Sequence, residues 1–406
     1  MARPEMLQSV LRSLVLGYRP LWNHERRLAG IELYAHAHVQ EGMLPPDGAH
    51  LLRTMRELWS STSPPVLIAA QTRQLLCSLL DHPERVAPWI EVRDHWLQDA
   101  EVLARVQAAH RRGLKLVWRG DMGREPAPDI LDCFDHCLLS IPPEFALAAL
   151  QSAPGASPLP ARQMFENVPS RALVAHCFDQ CDALALAGWP AEDVVYSLRH
   201  QPLQPAHEVV LALLKAIDQE QSIETFEDIL SRDPILAYRF LTHVNSAAFG
   251  LRTGISSLRR GLVLMGYGTL QKWLAQQLPH ADTEPDLRPV RESMVMRAEL
   301  TSRLLDAGVE NDLRREVYLC GLFSQLDLLL GEPLGAILRR IPLSDRIYDA
   351  NVLHTGPYAP PLEMACALET EDAQAILQLC ETHEYDLEDV NRCLLRMLAD
   401  LEVKHA

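Results

Sequence analysis

The sequence lacks any uninterrupted apolar run near the roughly 18 residues that a bilayer-spanning helix needs, so membrane insertion is not expected. It also lacks a block of clustered Lys and Arg: 38 basic residues face 54 acidic ones, for a formal charge of −16. Polyanions are held by clustered cations, so nucleic acid is excluded from the expected partners. Cysteine is sparse, nine in 406 residues, and an odd, scattered set fits free thiols in a reducing compartment better than a disulfide framework. The N-terminal stretch through Pro20 has a short apolar run, but Arg12 interrupts it and no small-residue cleavage site follows. A secretory signal is therefore not expected, and the cytoplasm is the expected location. No repeat of 20 to 50 residues is evident.

What is present is the composition of a folded protein, 48% hydrophobic and 23% charged. A chain of 406 residues exceeds what one core usually organises, so two domains are expected. The Pro-rich stretch over 142–160 separates segments of similar pattern and is expected to be a loop within a domain. A second, over 201–205, falls where the pattern changes, and the boundary is placed there, between 1–200 and 203–406. Before it, apolar runs at 65–70, 89–92, 113–118 and 171–175 predict buried strands, with helical segments such as 97–112 between them. That alternation implies a parallel sheet or barrel. After it, helices dominate. Val210, Leu213, Leu214 and Ile217 form one stripe, and Thr225 with Asp228 resembles a capping box. Asp233 followed by Pro234 opens a helix with Leu236, Phe240, Leu241 and Val244 on one side, ended by Gly250. Ser256 and Ser257 can cap another helix, broken at Gly266 and Gly268, and further helices are expected near 290–307 and 314–331.

The run Ser231-Arg232-Asp233-Pro234, followed by Asn245-Ser246-Ala247-Ala248-Phe249-Gly250, then Ile255 to Leu258 and Leu264-Met265-Gly266, closely resembles the HDOD domain of bacterial signalling proteins. The resemblance implies an all-helical domain related to HD-type phosphohydrolases, whose His-Asp pair holds metal ions that activate water. Ser324 and Gln325 stand where that pair would sit, and neither neutral side chain can replace it. Asp327 and His354 are candidates for a different metal site but are expected to be surface or capping residues. His243 is expected to be packed or hydrogen-bonded, and Asn245 to tie backbone or a neighbouring helix.

In the first half, Tyr18-Arg19-Pro20-Leu21-Trp22 leading to Gly30-Ile31-Glu32-Leu33-Tyr34 resembles EAL-type cyclic diguanylate phosphodiesterases. The resemblance implies a β/α barrel in which carboxylates and an Asn hold two divalent cations beside a Lys and paired Asp residues. Glu32 stands as the Glu of the signature, His36 where an Arg would contact phosphate, Ala69 in the place of the Asn and Asp94 in that of a metal-binding Glu. Trp118 and Arg119 fall at the paired Asp, Leu138 and Ser140 at the Lys and a following Asp, and His176 and Asp179 at two later Glu positions. A cation at Arg119 should repel a divalent metal. Cys133 and Cys137 with His136, and Cys177 and Cys181 with His176, could form a structural zinc site, but their spacing is not that of a zinc ribbon and buried free thiols are expected.

The expectation is therefore a degenerate EAL-like α/β barrel followed by an all-α HDOD domain, acting without catalysis as a cytosolic signalling adaptor for another signalling protein in c-di-GMP-linked control of motility, biofilm or virulence. Glu32, Asp94 and Asp179 remain as remnants of the family motif; no metal and no cofactor is expected. One alternative is a sensor that binds c-di-GMP or another nucleotide without hydrolysis. A second is a residual metal-dependent phosphohydrolase.

Overall fold

The computed structural model describes residues 10–38, 47–82, 88–142, 162–200, 202–305 and 311–402. From residue 143 onward, the loop expected over 142–160 lies outside them. The chain divides into two compact units, one of residues 1–190 together with 367–406, the other of 191–366.

In the first unit, eight strands close a barrel in sequence order. They are β1 (Leu14–Trp22), β2 (Leu28–Ala37), β3 (Val66–Ala70), β4 (Trp89–Arg93), β5 (Leu116–Asp121), β6 (His136–Ser140), β7 (Arg162–Glu166) and β8 (Ala185–Ala187). β1 runs antiparallel to both neighbours, and every other pair is parallel. β3 reads Val-Leu-Ile-Ala-Ala with every residue buried, as a strand covered on both faces should. Helices α1 (Gly48–Leu58), α2 (Arg73–Leu80), α3 (Ala100–Arg112) and α4 (Arg171–Asp179) alternate with the strands. Asp47, Thr72, Asp99 and Ser170 each accept a first-turn backbone N–H at their starts. The strand expected over 171–175 is thus helix α4. Ser170 caps it, and Leu173, Val174, Cys177 and Phe178 are buried at helical spacing. The strand of that region is β7, just before it.

The barrel floor is apolar: Leu21, Leu67, Val117, Leu138, Met164, Ala185 and Ala187 pack together inside it. Side chains two residues along a strand share a face, so this floor fixes which residues above it point inward.

Residues 367–406 were expected with the helical half, but their described part packs on the barrel. Helix α15 (Leu387–Asp400) buries Val390, Leu394, Leu395 and Leu398. Its fully buried Asn391 donates to the carbonyls of Leu11 (2.8 Å) and Leu14 (2.7 Å) and accepts from the Leu16 N–H (3.2 Å). Ser63 Oγ donates to the Ala399 carbonyl at 2.5 Å. The apolar stripe of α15 is plain in the sequence; the surface it covers, beside β1, is far away in the chain.

The second unit is helical: α5 (Ala191–Leu198), α6 (His207–Asp218), α7 (Ile223–Leu230), α8 (Pro234–Val244), α9 (Leu258–Gln277), α10 (Arg288–Leu304), α11 (Asn311–Leu322), a run of shorter turns and most of α13 (Ala359–Leu368), with α12 (Leu326–Leu330) between. Ser222 caps α7, accepting from Thr225 N–H at 3.3 Å, so the cap lies one turn before the expected Thr225 and Asp228. α8 starts as its sequence directs, Asp233 accepting from Leu236 N–H at 2.7 Å with Pro234 in the first turn. It ends at Val244, and Gly250 (φ 58°) instead closes the short turn that follows. In α9, Gly266 has φ 64° and ψ 164°, non-helical angles that kink the helix where a break was expected.

Candidate functional site

Strand alternation above the apolar floor turns Arg19 on β1, Glu32 and Tyr34 on β2, Glu91 on β4, Arg119 on β5 and Glu166 on β7 toward the barrel axis. They meet as one ion-pair network. Arg119 Nε and Nη2 donate to Glu166 at 3.0 and 2.7 Å, while its Nη1 donates to Glu91 at 3.2 Å and to Glu32 at 3.5 Å. Arg19 Nε donates to Glu32 at 2.8 Å and its Nη2 to Glu166 at 2.7 Å. Tyr34 OH donates to Glu32 at 3.3 Å. Arg93 reaches Glu91 at 3.2 Å and Gln71 at 2.5 Å. All three carboxylates are buried, and Arg19, Arg93 and Arg119 balance them charge for charge.

Burial and the neighbouring Glu32 push the Glu91 carboxyl up to about 7, against the pull of Arg119 and Arg93. Burial would raise Glu166 too, but Arg119 and Arg19 outweigh it and hold that carboxyl below the usual range. The same carboxylates raise Arg19 and Arg119 against the effect of their own burial. Burial raises the Tyr34 hydroxyl, so it stays a donor.

Of the residues expected here, Glu32 is at the centre and Arg119 lies among the carboxylates. Asp94 is not in the site: it begins a short turn after β4 and accepts from Trp118 Nε1 at 3.2 Å. Asp179 ends α4 on the surface, 3.4 Å from His24, and His176 lies on the same helix. Leu138 belongs to the floor, Ala69 to β3, and Ser140 ends β6 within 3.4 Å of Asn167. Glu91, Glu166 and Arg19 were missed. Their signal was alternation: each stands two residues from a floor residue or from Trp89, which packs against the floor.

The resemblance to EAL enzymes implies divalent cations, and the residues present do not fit them. The Arg119 guanidinium stands between the carboxylates that would have to converge on an ion, and Ala69 offers no donor atom from its side chain. Among the described residues no group of three or more His, Cys, Asp or Glu could hold a metal ion. Burial pushes the Cys137 and Cys177 thiols up to about 12, which disfavours the thiolate a zinc site requires.

In the helical unit, Asp233 is fully buried and also accepts from the Ala206 N–H at 2.7 Å, with Arg291 3.5 Å away. Asn245 donates to the carbonyls of Leu241 (2.7 Å) and Ile255 (2.8 Å) and accepts from Ile255 N–H (2.7 Å). Ser246 precedes the short turn Ala247–Phe249. Phe249 meets His243 edge-on at 5.4 Å, and His243 stacks on Trp273 at 5.6 Å. Ser324 Oγ donates to the Gly321 carbonyl at 2.7 Å, and Gln325 precedes α12, which carries Asp327. His354, at φ 54°, closes a separate turn after Asp349–Leu353.

A family model described as the HDOD domain matches residues 203–330, within the helical half that follows the closed barrel. Cyclic di-GMP phosphodiesterase CdgJ of Vibrio cholerae is 25% identical over 199 residues, 49% of this chain and 46% of its own length. The chain spans about half the length of the curated relatives it matches. That relative's name overturns the expectation that this chain is not an enzyme. Among solved structures, the MmoQ response regulator of Methylococcus capsulatus is 16% identical, with 48% of this chain and 98% of that one covered and a TM-score of 0.38. The YkuI protein of Bacillus subtilis, with an EAL domain and in complex with c-di-GMP and calcium, is 11% identical, with 46% and 57% covered and a TM-score of 0.31. No described helix is long and apolar enough to cross a membrane.

Proposed function

We propose that the protein is a cytoplasmic regulator in c-di-GMP-linked signalling: its HDOD domain docks another signalling protein, and the mouth of its barrel receives a cyclic dinucleotide. The observation that carries this reading is the pairing, in one chain, of an HDOD domain over 203–330 with a barrel whose strand ends gather a charge-balanced cluster around Glu32. The relative named for c-di-GMP chemistry supports the ligand class. The docking half of the reading is supported by α9, where Val263, Leu264 and Tyr267 flank the Gly266 kink and are 61%, 43% and 45% exposed. Apolar side chains gathered in solvent mark interaction surfaces more often than chance would.

Two measurements on the full chain test it. Copurification should yield a stoichiometric partner that Val263→Asp loses while the thermal midpoint stays put; an unchanged complex would remove α9 from the docking role. Calorimetry with c-di-GMP should give saturable heat and thermal stabilisation, with turnover of the dinucleotide followed in the same samples. Absence of both heat and stabilisation at high ligand would exclude the barrel as the nucleotide site.

A further inference from the structure

The turn between α13 and α14 (Ala373–His383) enters the barrel mouth. Gly17 stands two residues before inward-facing Arg19, on the same face of β1, and a Cβ there would lie 2.2 Å from the carbonyl oxygen of Thr370 and 3.3 Å from that of Leu368. The space an inward side chain would fill at position 17 is therefore taken by backbone of residues 368–370. Beside it His36, two residues beyond inward-facing Tyr34, shares its ring Nε2 with the Glu371 carbonyl at 2.9 Å. Across the mouth Arg93, two residues beyond Glu91, lies 3.7 Å from the Glu371 carboxylate. The turn keeps its own shape: Thr370 Oγ1 donates to the Ala367 carbonyl at 2.8 Å, and Asp372 caps α14.

We propose that residues 368–372 are a plug for the barrel mouth, seated above the Arg19–Glu32–Glu91–Arg119–Glu166 cluster and lifted when a ligand enters. The proposal rests on the reading that this mouth receives a cyclic dinucleotide. Three features fit a removable part. Glu371 is 58% exposed at its side chain, so its ion pair with Arg93 is a weak, solvent-screened latch. The turn is followed by α14 and α15, and Asn391 of α15 is pinned to β1, so one end of the plug is anchored. The other end is the covalent connection to the helical unit, because the chain passes between units at residues 366 and 367. A partner that shifts the helical unit would act on the plug through the backbone itself. Ligand affinity is multiplied by the fraction of molecules that are open, so partner docking and nucleotide binding become linked through this turn.

The test compares the full-length wild type with Glu371→Ala, which removes the latch, and Gly17→Ala, whose methyl collides with the Thr370 carbonyl. Deuterium uptake is read at 367–373 and at the C-terminal ends of β2 and β4, and c-di-GMP affinity by calorimetry. Both variants should exchange faster at the turn and at those strand ends, and both should bind c-di-GMP about tenfold tighter, as expected if the mouth is open about one-tenth of the time in the parent. Unchanged exchange at the strand ends in both variants would overturn the plug. So would faster exchange with an affinity equal to the parent's. Faster exchange with no binding by any form would keep the plug and overturn the dinucleotide reading. Should Gly17→Ala fail to fold, Glu371→Ala carries the comparison alone.

Discussion

Arg119 touches all three buried carboxylates, and its removal tests whether the cluster is a structural centre. Arg119→Ala leaves Glu32, Glu91 and Glu166 buried with Arg19 and the more peripheral Arg93. Breaking a buried ion pair from one side costs about 3–5 kcal/mol, so chemical denaturation should show a loss of that order, and Arg119→Lys a smaller one. A loss below about 1 kcal/mol would mean that water already screens the cluster. Glu91 gives a pH signature of known sign. Its folded pKa lies above that of an unfolded glutamate, so the native state binds the extra proton. The associated stability is fully present below the ordinary glutamate range and is lost as pH rises through about 7. The thermal midpoint of the wild type should therefore fall between about pH 5 and about pH 8 more steeply than that of Glu91→Gln; parallel profiles would contradict the raised pKa. Arg119 was legible in the sequence, because a cation stood at a position where the resemblance required anions. Glu91 was not, because Asp94 three residues later drew the comparison. Only the alternation Trp89, Glu91, Arg93 shows which acid faces inward. Glu166 was hidden by placing the strand over 171–175, which moved attention to His176 and Asp179 on a helix.

At the scale of elements, the kink in α9 is a backbone requirement. Gly266 has a φ of 64° and a ψ of 164°, and nothing lies within 4 Å of the position its Cβ would take. Gly266→Ala should therefore cost about 1–3 kcal/mol by backbone strain alone. Gly268, two residues on, also has open space at its Cβ but no such φ. Gly268→Ala should be neutral or stabilise by up to about 1 kcal/mol, and equal effects at both positions in urea denaturation would refute the kink. The break itself was readable from a pair of glycines in an apolar helix. The cap of α7 was misread by one turn, since Ser222 and Thr225 both suit a helix start and only the backbone geometry chooses between them. The cap at Asp233 was legible because proline follows it; of the two serines expected to start α9, it is Ser257 that accepts from the Arg260 N–H, at 3.5 Å.

For the molecule as a whole, the division of the chain changes what a fragment can be expected to do. The Pro-rich stretch suggests a boundary near 201–205, whereas the units divide between 190 and 191, and nothing in the sequence signals that the last helices return to the barrel. Their amphipathic stripe says only that they pack, and any apolar surface would satisfy it. Removing residues 367–406 should uncover β1 and leave the carbonyls of Leu11 and Leu14 without the Asn391 amide, at about 1–3 kcal/mol for each buried group left unpaired. A truncated chain ending at 366 should show a barrel that exchanges amide protons faster and resists protease less than the full chain. A fragment of 203–406 should bind a hydrophobic dye more strongly than one of 191–366, because it carries the buried face of α15 without its cover. Equal dye binding would mean that α14 and α15 find another seat.

The bonds from Asn391 to Leu14 in the first strand and to Leu11 just before it span 377 and 380 residues. On the ribosome, Leu16 of β1 emerges 375 residues before the Asn391 that closes over it. The barrel cannot reach its final packing until α15 has been made, and contacts of such separation are intrinsically slow to form. A chain stalled anywhere short of α15 would therefore present an uncovered β1 to proteases and chaperones. In that sense α15 acts as a checkpoint on synthesis, separating chains whose β1 is covered from chains whose β1 is not.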